Sequence, residues 1–98
     1  MRKVLLDFNP VKSVTMIHEY LKFELEFEDG YGENLDALYD ELTSLTEDTC
    51  VGFFAPPKED SALSSYLGKV AKVFRDAQIE DDHLCVIFGE LEDNYHAE

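Results

Sequence analysis

Thr49-Cys50-Val51-Gly52-Phe53-Phe54, followed at once by Ala55-Pro56-Pro57, is the stretch on which the fold turns. Its residues are β-branched, aromatic or small, and neither proline can donate a backbone hydrogen bond, so a short strand ends there. Residues 3–8 have the same build, with Val4, Leu5, Leu6 and Phe8 stopped by Asn9-Pro10. So do residues 84–88, which Gly89 ends. Short strands that are apolar throughout are the mark of a parallel sheet with helices packed against it.

Between the strands the hydrophobic period changes to that of helices. From Thr15, taken as the N-cap, Ile17, Tyr20, Leu21 and Leu25 recur at i, i+3, i+4 and i+8. The cluster Glu28-Asp29-Gly30 is the expected stop, with Gly30 and Gly32 around Tyr31 supplying backbone angles that other residues resist. A second helix is expected from the N-cap Asn34 through Leu35, Leu38, Leu42 and Leu45. A third, near residues 64–78, is drawn by Leu63, Leu67, Val70, Phe74 and Ala77, with Gly68 a weak point inside it. The stretch up to Ser61 reads as a loop or a short helical turn. The expected architecture is α/β: a compact three-stranded parallel sheet with three to four helices and right-handed crossovers.

The chain has 98 residues, which fits one domain, expected over residues 1–90, with residues 91–98 a polar, acidic tail. Against 22 Asp and Glu stand 8 Lys and Arg, a formal net charge of −14. Such a field repels nucleic acid and speeds encounter with a basic partner; it also serves solubility. No apolar run approaches the length needed to span a bilayer, and Asp7 interrupts the N-terminal run too early for a signal peptide, so a cytoplasmic protein is expected. Cys50 and Cys85 lack metal-ligand spacing and are expected as buried, reduced thiols. His18, His83 and His96 have no paired ligand spacing and read as structural, and no nucleophile, metalloprotease or phosphate-loop pattern is present, so neither an enzyme nor a metal or cofactor site is indicated. The acidic clusters at residues 26–29 and 90–93 lack the ligand pattern of a calcium loop and read as solvated.

On the second helix each residue advances about 100°. Leu35, Leu38, Leu42 and Leu45 therefore share one side, while Asp36, Asp40, Thr43 and Ser44 share the other and Tyr39 lies at the edge. Asp36 and Asp40 stack like charges one turn apart. The helix dipole favours Asp36 near the N-terminus, but Asp40 lies beyond its reach. Two carboxylates on a rigid helix can accept paired hydrogen bonds from Arg or Lys of a basic partner, as phosphate oxygens do. A charged outer face is also what an ordinary solvated helix carries.

The run Tyr31-Gly32-Glu33-Asn34-Leu35-Asp36-Ala37-Leu38-Tyr39-Asp40-Glu41-Leu42-Thr43 resembles the YGENLDALWDxLT signature of the barstar family. Residues 13–25 are similar to that family's first helix, and Val73-Phe74-Arg75-Asp76-Ala77 is similar to its VFREA segment, whereas residues 51–63 and the tail match loosely. The resemblance implies an intracellular inhibitor, or immunity protein, of a basic secreted ribonuclease or nuclease toxin, monomeric when free and bound one to one. It implies that the second helix and the loop before it enter the nuclease active site. Asp40 would be the central anchor, Asp36 a partner for a basic residue at the rim, and Asp76 a stand-in for the family's glutamate. Tyr31 would be an aromatic contact of the loop and Asn34 a polar one. Tyr39 would replace the family's tryptophan, and Thr43 and Ser44 would close the strip. Where the family shows two successive tyrosines and, after the helix, a tryptophan, this chain has Gly30-Tyr31 and Leu45, which leaves less aromatic area and puts binding of barnase itself in doubt. The alternative is an acidic interaction module on the same fold that binds a non-nuclease partner.

Overall fold

The computed structural model describes residues 1–56 and 61–89. Along the chain run β1 (Arg2–Asp7), α1 (Val14–Leu25), α2 (Leu35–Leu42), β2 (Thr49–Phe54), α3 (Ala62–Glu80) and β3 (Leu84–Gly89). The strands form one parallel sheet in the order β1-β2-β3, with Val4, Val51 and Val86 aligned across it. Strand order equals chain order because each crossover passes through helix and returns to the next position. The expected α/β architecture is thus present, with three helices among the described residues.

Side chains alternate along each strand, and one face is packed. Val4 and Leu6, Val51 and Phe53, Leu84 and Val86 point into a core with Ile17 and Leu21 of α1, Leu38 and Leu42 of α2, and Leu67, Val70 and Phe74 of α3. Each such side chain contributes roughly 1.5–3 kcal/mol by leaving water. The opposite face carries Lys3, Leu5, Cys50, Gly52, Phe54, Cys85 and Ile87, and it is open: Leu5 is 56% exposed and Ile87 58%. The apolar runs therefore conceal an alternation, and the expectation of buried thiols does not hold. Cys50 is half-buried and Cys85 exposed, because both fall between the inward-facing positions of their strands. Phe54 folds back along this open face; a Cβ on Gly52 would come within 2.9 Å of its ring and 3.3 Å of Leu5 Cδ1, so glycine makes room for the ring.

The helix ends differ from expectation in instructive ways. Ser13, not Thr15, caps α1: its backbone is extended and its Oγ accepts from the Met16 N–H at 3.1 Å. The helix stops at Leu25, before the acidic glycine cluster, where Glu26 turns left-handed (φ 59°) and both its N–H and that of Phe27 bond back to Lys22 O. Arg2 helps fix this end, donating to Leu25 O at 3.2 Å and lying 3.6 Å from Glu26 Oε1. An early turn is needed because Phe27 must enter the core. Among the described residues the left-handed ones are Glu26 and Glu33, and neither Gly30 nor Gly32 has positive φ. Helix α2 ends at Leu42, leaving Leu45 beyond it, while α3 runs longer than expected from its N-cap Ser61 and passes Gly68 unbroken. At the outer edge of the sheet, the Leu84 N–H bonds Asp81 O at 3.1 Å and the Val86 N–H bonds Gln78 Oε1 at 2.9 Å. Residues 57–60, read from sequence as part of a loop, and the tail at residues 91–98 lie outside the described residues.

Candidate protein-binding site on the second helix

Asn34 starts α2 as expected, its Oδ1 accepting from the Ala37 N–H at 2.8 Å. Leu38 and Leu42 are fully buried, which fixes the rotation of the helix and turns Asp36 and Asp40 outward. The two carboxylates are exposed one turn apart, and among the described residues neither forms a salt bridge. Asp36 gains from the helix N-terminus; Asp40, in the second turn, gains nothing comparable within the fold.

Helix α3 extends this strip. Tyr39 is half-buried at the seam between α2 and α3, and its phenol is pushed above the usual range by partial burial and then by Glu80, Asp76 and Asp40. Asp76 thus joins Asp40 around one tyrosine, although part of its charge is met by Lys72 at 3.1 Å. Glu80 belongs to the same acidic rim and was not singled out from sequence; its position one turn after Asp76 on α3 is the signal that could have found it. Thr43 Oγ1 donates to Tyr39 O at 2.8 Å and Ser44 Oγ to Asp40 O at 2.7 Å. Both hydroxyl protons are therefore engaged by carbonyls at the helix end, which leaves each oxygen able to accept a hydrogen bond.

Tyr31, expected as an aromatic contact of the loop, turns its ring into the core. It is 6% exposed, its ring packs 4.8 Å from that of Phe27, and its hydroxyl lies 2.7 Å from His18 Nδ1. The other ring nitrogen of His18 lies 2.7 Å from the Tyr66 hydroxyl. A neutral imidazole has one donor and one acceptor, so one tyrosine donates to it and the other accepts. Burial lowers the pKa of His18, partly opposed by Glu33, and burial is also the main cause that raises that of Tyr31. The reason for the inward turn is polar satisfaction: His18 is 1% exposed on α1, and its two nitrogens need partners from the loop and from α3. Tyr31 thereby ties the loop before α2 to the core, and Glu33 at φ 55° redirects the chain into the N-cap. His83, by contrast, is exposed and lies 2.8 Å from Asp48 Oδ1, and His96 lies outside the described residues.

The geometry is thus a two-helix acidic ridge, with Asp36 and Asp40 at its crest, Tyr39 in the seam, and Asp76 and Glu80 alongside. A family profile described as Barstar (barnase inhibitor) matches residues 1–88. The chain belongs to the barstar family. Among its relatives is a Bacillus subtilis (strain 168) protein named "Putative ribonuclease inhibitor YrdF", 37% identical over 82 residues that make up 82% of this chain and 89% of the relative. The barstar match covers all three described helices and nearly all of the sheet, ending one residue before β3 does. Among the described residues of this barstar-family chain, no group of three or more His, Cys, Asp or Glu is placed to hold a metal ion, and no helix is long and apolar enough to cross a membrane.

Proposed function

We propose that this chain is an intracellular, cytoplasmic inhibitor of a basic secreted ribonuclease or nuclease toxin, which it binds one to one as a free monomer. The observation that carries the reading is the pair Asp36 and Asp40, exposed one turn apart on a rotationally fixed helix and forming no salt bridge among the described residues. Charge left unpaired on the surface of a protein with net charge −14 is complementary to a cationic catalytic cleft. Family membership and the description of the Bacillus relative support the same reading.

In the complex, the carboxylates occupy the places of substrate phosphates. Asp40 anchors among catalytic Arg and His groups, Asp36 pairs a basic residue at the rim, and Asp76 receives another from the side. Asn34, Tyr39, Thr43 and Ser44 complete the contact strip, and Tyr31 acts from beneath by holding the loop. Inhibition of a basic ribonuclease by the parent chain, Asp36→Ala, Asp40→Ala and the double variant tests this. Truncating one partner of a desolvated charge pair costs roughly 2–5 kcal/mol, so Asp40→Ala is expected to weaken inhibition by about 30-fold or more. Far-UV circular dichroism should stay unchanged, since the Asp40 side chain is exposed and forms no salt bridge among the described residues. Equal inhibition by the double variant would overturn the proposal. Binding of basic proteins without inhibition of any nuclease would favour the alternative, an acidic module for a non-nuclease partner.

A further inference from the structure

On the open face of the sheet, away from the acidic ridge, the two cysteines of the chain stand side by side. Cys50 on β2 and Cys85 on β3 are direct partners in the parallel register, and Lys3 of β1 completes the row. Their neighbours Val51 and Val86 point into the core, so both thiols point to the same, opposite side, which none of the described helices covers. Adjacent strands lie about 4.8 Å apart, which falls within the Cα separation of roughly 4.4–6.8 Å that a disulfide accepts. Neither spacing in sequence nor an extracellular cysteine framework brings these residues together; the fold does.

We propose that Cys50 and Cys85 form a surface dithiol that a hydroperoxide converts to an intramolecular disulfide, and that thiol reductants reopen it. Cys85, the more exposed, meets the oxidant first. Its sulfur as thiolate attacks a peroxide oxygen; the O–O bond breaks, the departing oxygen takes a proton and leaves as water or an alcohol, and a sulfenic acid remains. The Cys50 sulfur then attacks the Cys85 sulfur, the S–O bond breaks, and hydroxide leaves with the Cys50 thiol proton as water. Two thiols have lost two electrons together, and the peroxide has gained them. The Cys50 thiol is held above its ordinary pKa first by its hydrogen bond with Cys85, a shift partly opposed by the Lys3 ammonium next to it in the row.

The test uses the full chain, reduced and then treated with a slight excess of hydrogen peroxide. The expected product loses the mass of two hydrogen atoms, has no free thiol, and yields a Cys50–Cys85 linked peptide on digestion without reductant. Dithiothreitol restores the starting mass. Because the partner thiol is held at an effective concentration in the millimolar range, the yield should be unchanged over a ~100-fold range of protein concentration. Cys50→Ser and Cys85→Ser, isosteric changes on the face of the sheet opposite the core, should instead add oxygen atoms or form intermolecular dimers. Oxygen adducts or dimers as the main products of the parent chain, with no linked peptide, would overturn the proposal. So would a linkage whose yield rises with protein concentration.

Discussion

His18 gives the molecule a pH dependence that can be signed in advance. Burial keeps its folded pKa below the 6.5 of the free imidazole. The unfolded chain therefore takes up a proton that the folded chain resists. The stabilisation tied to a neutral His18 is complete above about pH 6.5, declines as pH falls through that value, and levels off below the folded pKa. His83 has the opposite sign: its hydrogen bond to Asp48 raises its pKa, so its contribution is present below 6.5 and is lost as pH rises through the higher folded value. Because His83 is exposed and screened, His18 should dominate. Urea denaturation from about pH 7.5 down to about pH 5 should show falling stability, and His18→Gln should flatten the slope. At neutral pH, Tyr31→Phe removes one of His18's two partners and should cost about 1–3 kcal/mol. Glu26→Gly should move the other way, stabilising the fold by up to ~1 kcal/mol in urea denaturation, since glycine takes the left-handed angle without steric cost, Arg2 keeps its bond to Leu25 O, and an ion pair to the exposed Glu26 carboxylate is worth little. Sequence could place Asp36 and Asp40, because a helical period fixes direction once the leucines are known. It could not place Tyr31, because a tyrosine between two glycines looks like a loop tip, and its true determinant is a buried histidine 13 residues away.

At the scale of elements, α2 is the part most dependent on its surroundings. Eight residues make about two turns, too few to persist alone in water. The helix holds because Asn34 caps it and because Leu38 and Leu42 are sunk into the core. Asn34→Ala should cost roughly 1 kcal/mol in denaturation, and should weaken inhibition by more than that loss alone would at fixed geometry, since fraying begins beside Asp36. Hydrogen exchange of the Ala37 amide would report the fraying directly. Strands and helices were legible in the sequence because their hydrophobic periods are strong. The ends were not: Ser13 and Thr15 are both good caps, and the choice between them depends on how the chain leaves β1. The orientation of the sheet was half legible as well. Apolar residues on both faces announce a parallel sheet, but Leu5 and Ile87 are as apolar as Leu6 and Val86, and composition cannot say that the described helices all pack on one side.

For the molecule as a whole, the excess of acidic residues is the governing quantity. If the ridge meets a basic nuclease, association should be fast at low ionic strength and slow with added salt. Raising salt from about 0.02 M to about 0.5 M should reduce the association rate ~10-fold or more, with a smaller effect on dissociation, as stopped-flow mixing would show. The same repulsion keeps copies of the chain apart, and here the amide of Gln78 acquires a second significance. Beta strand three is a border strand whose residues 84–88, Leu-Cys-Val-Ile-Phe, carry no charge, the composition that seeds fibrils when its backbone is free to recruit another chain. Gln78 occupies the one outward amide at the middle of that border, as a stopper would, so Gln78→Ala should leave the fold intact yet shorten the lag before thioflavin-positive aggregates appear, most visibly in high salt.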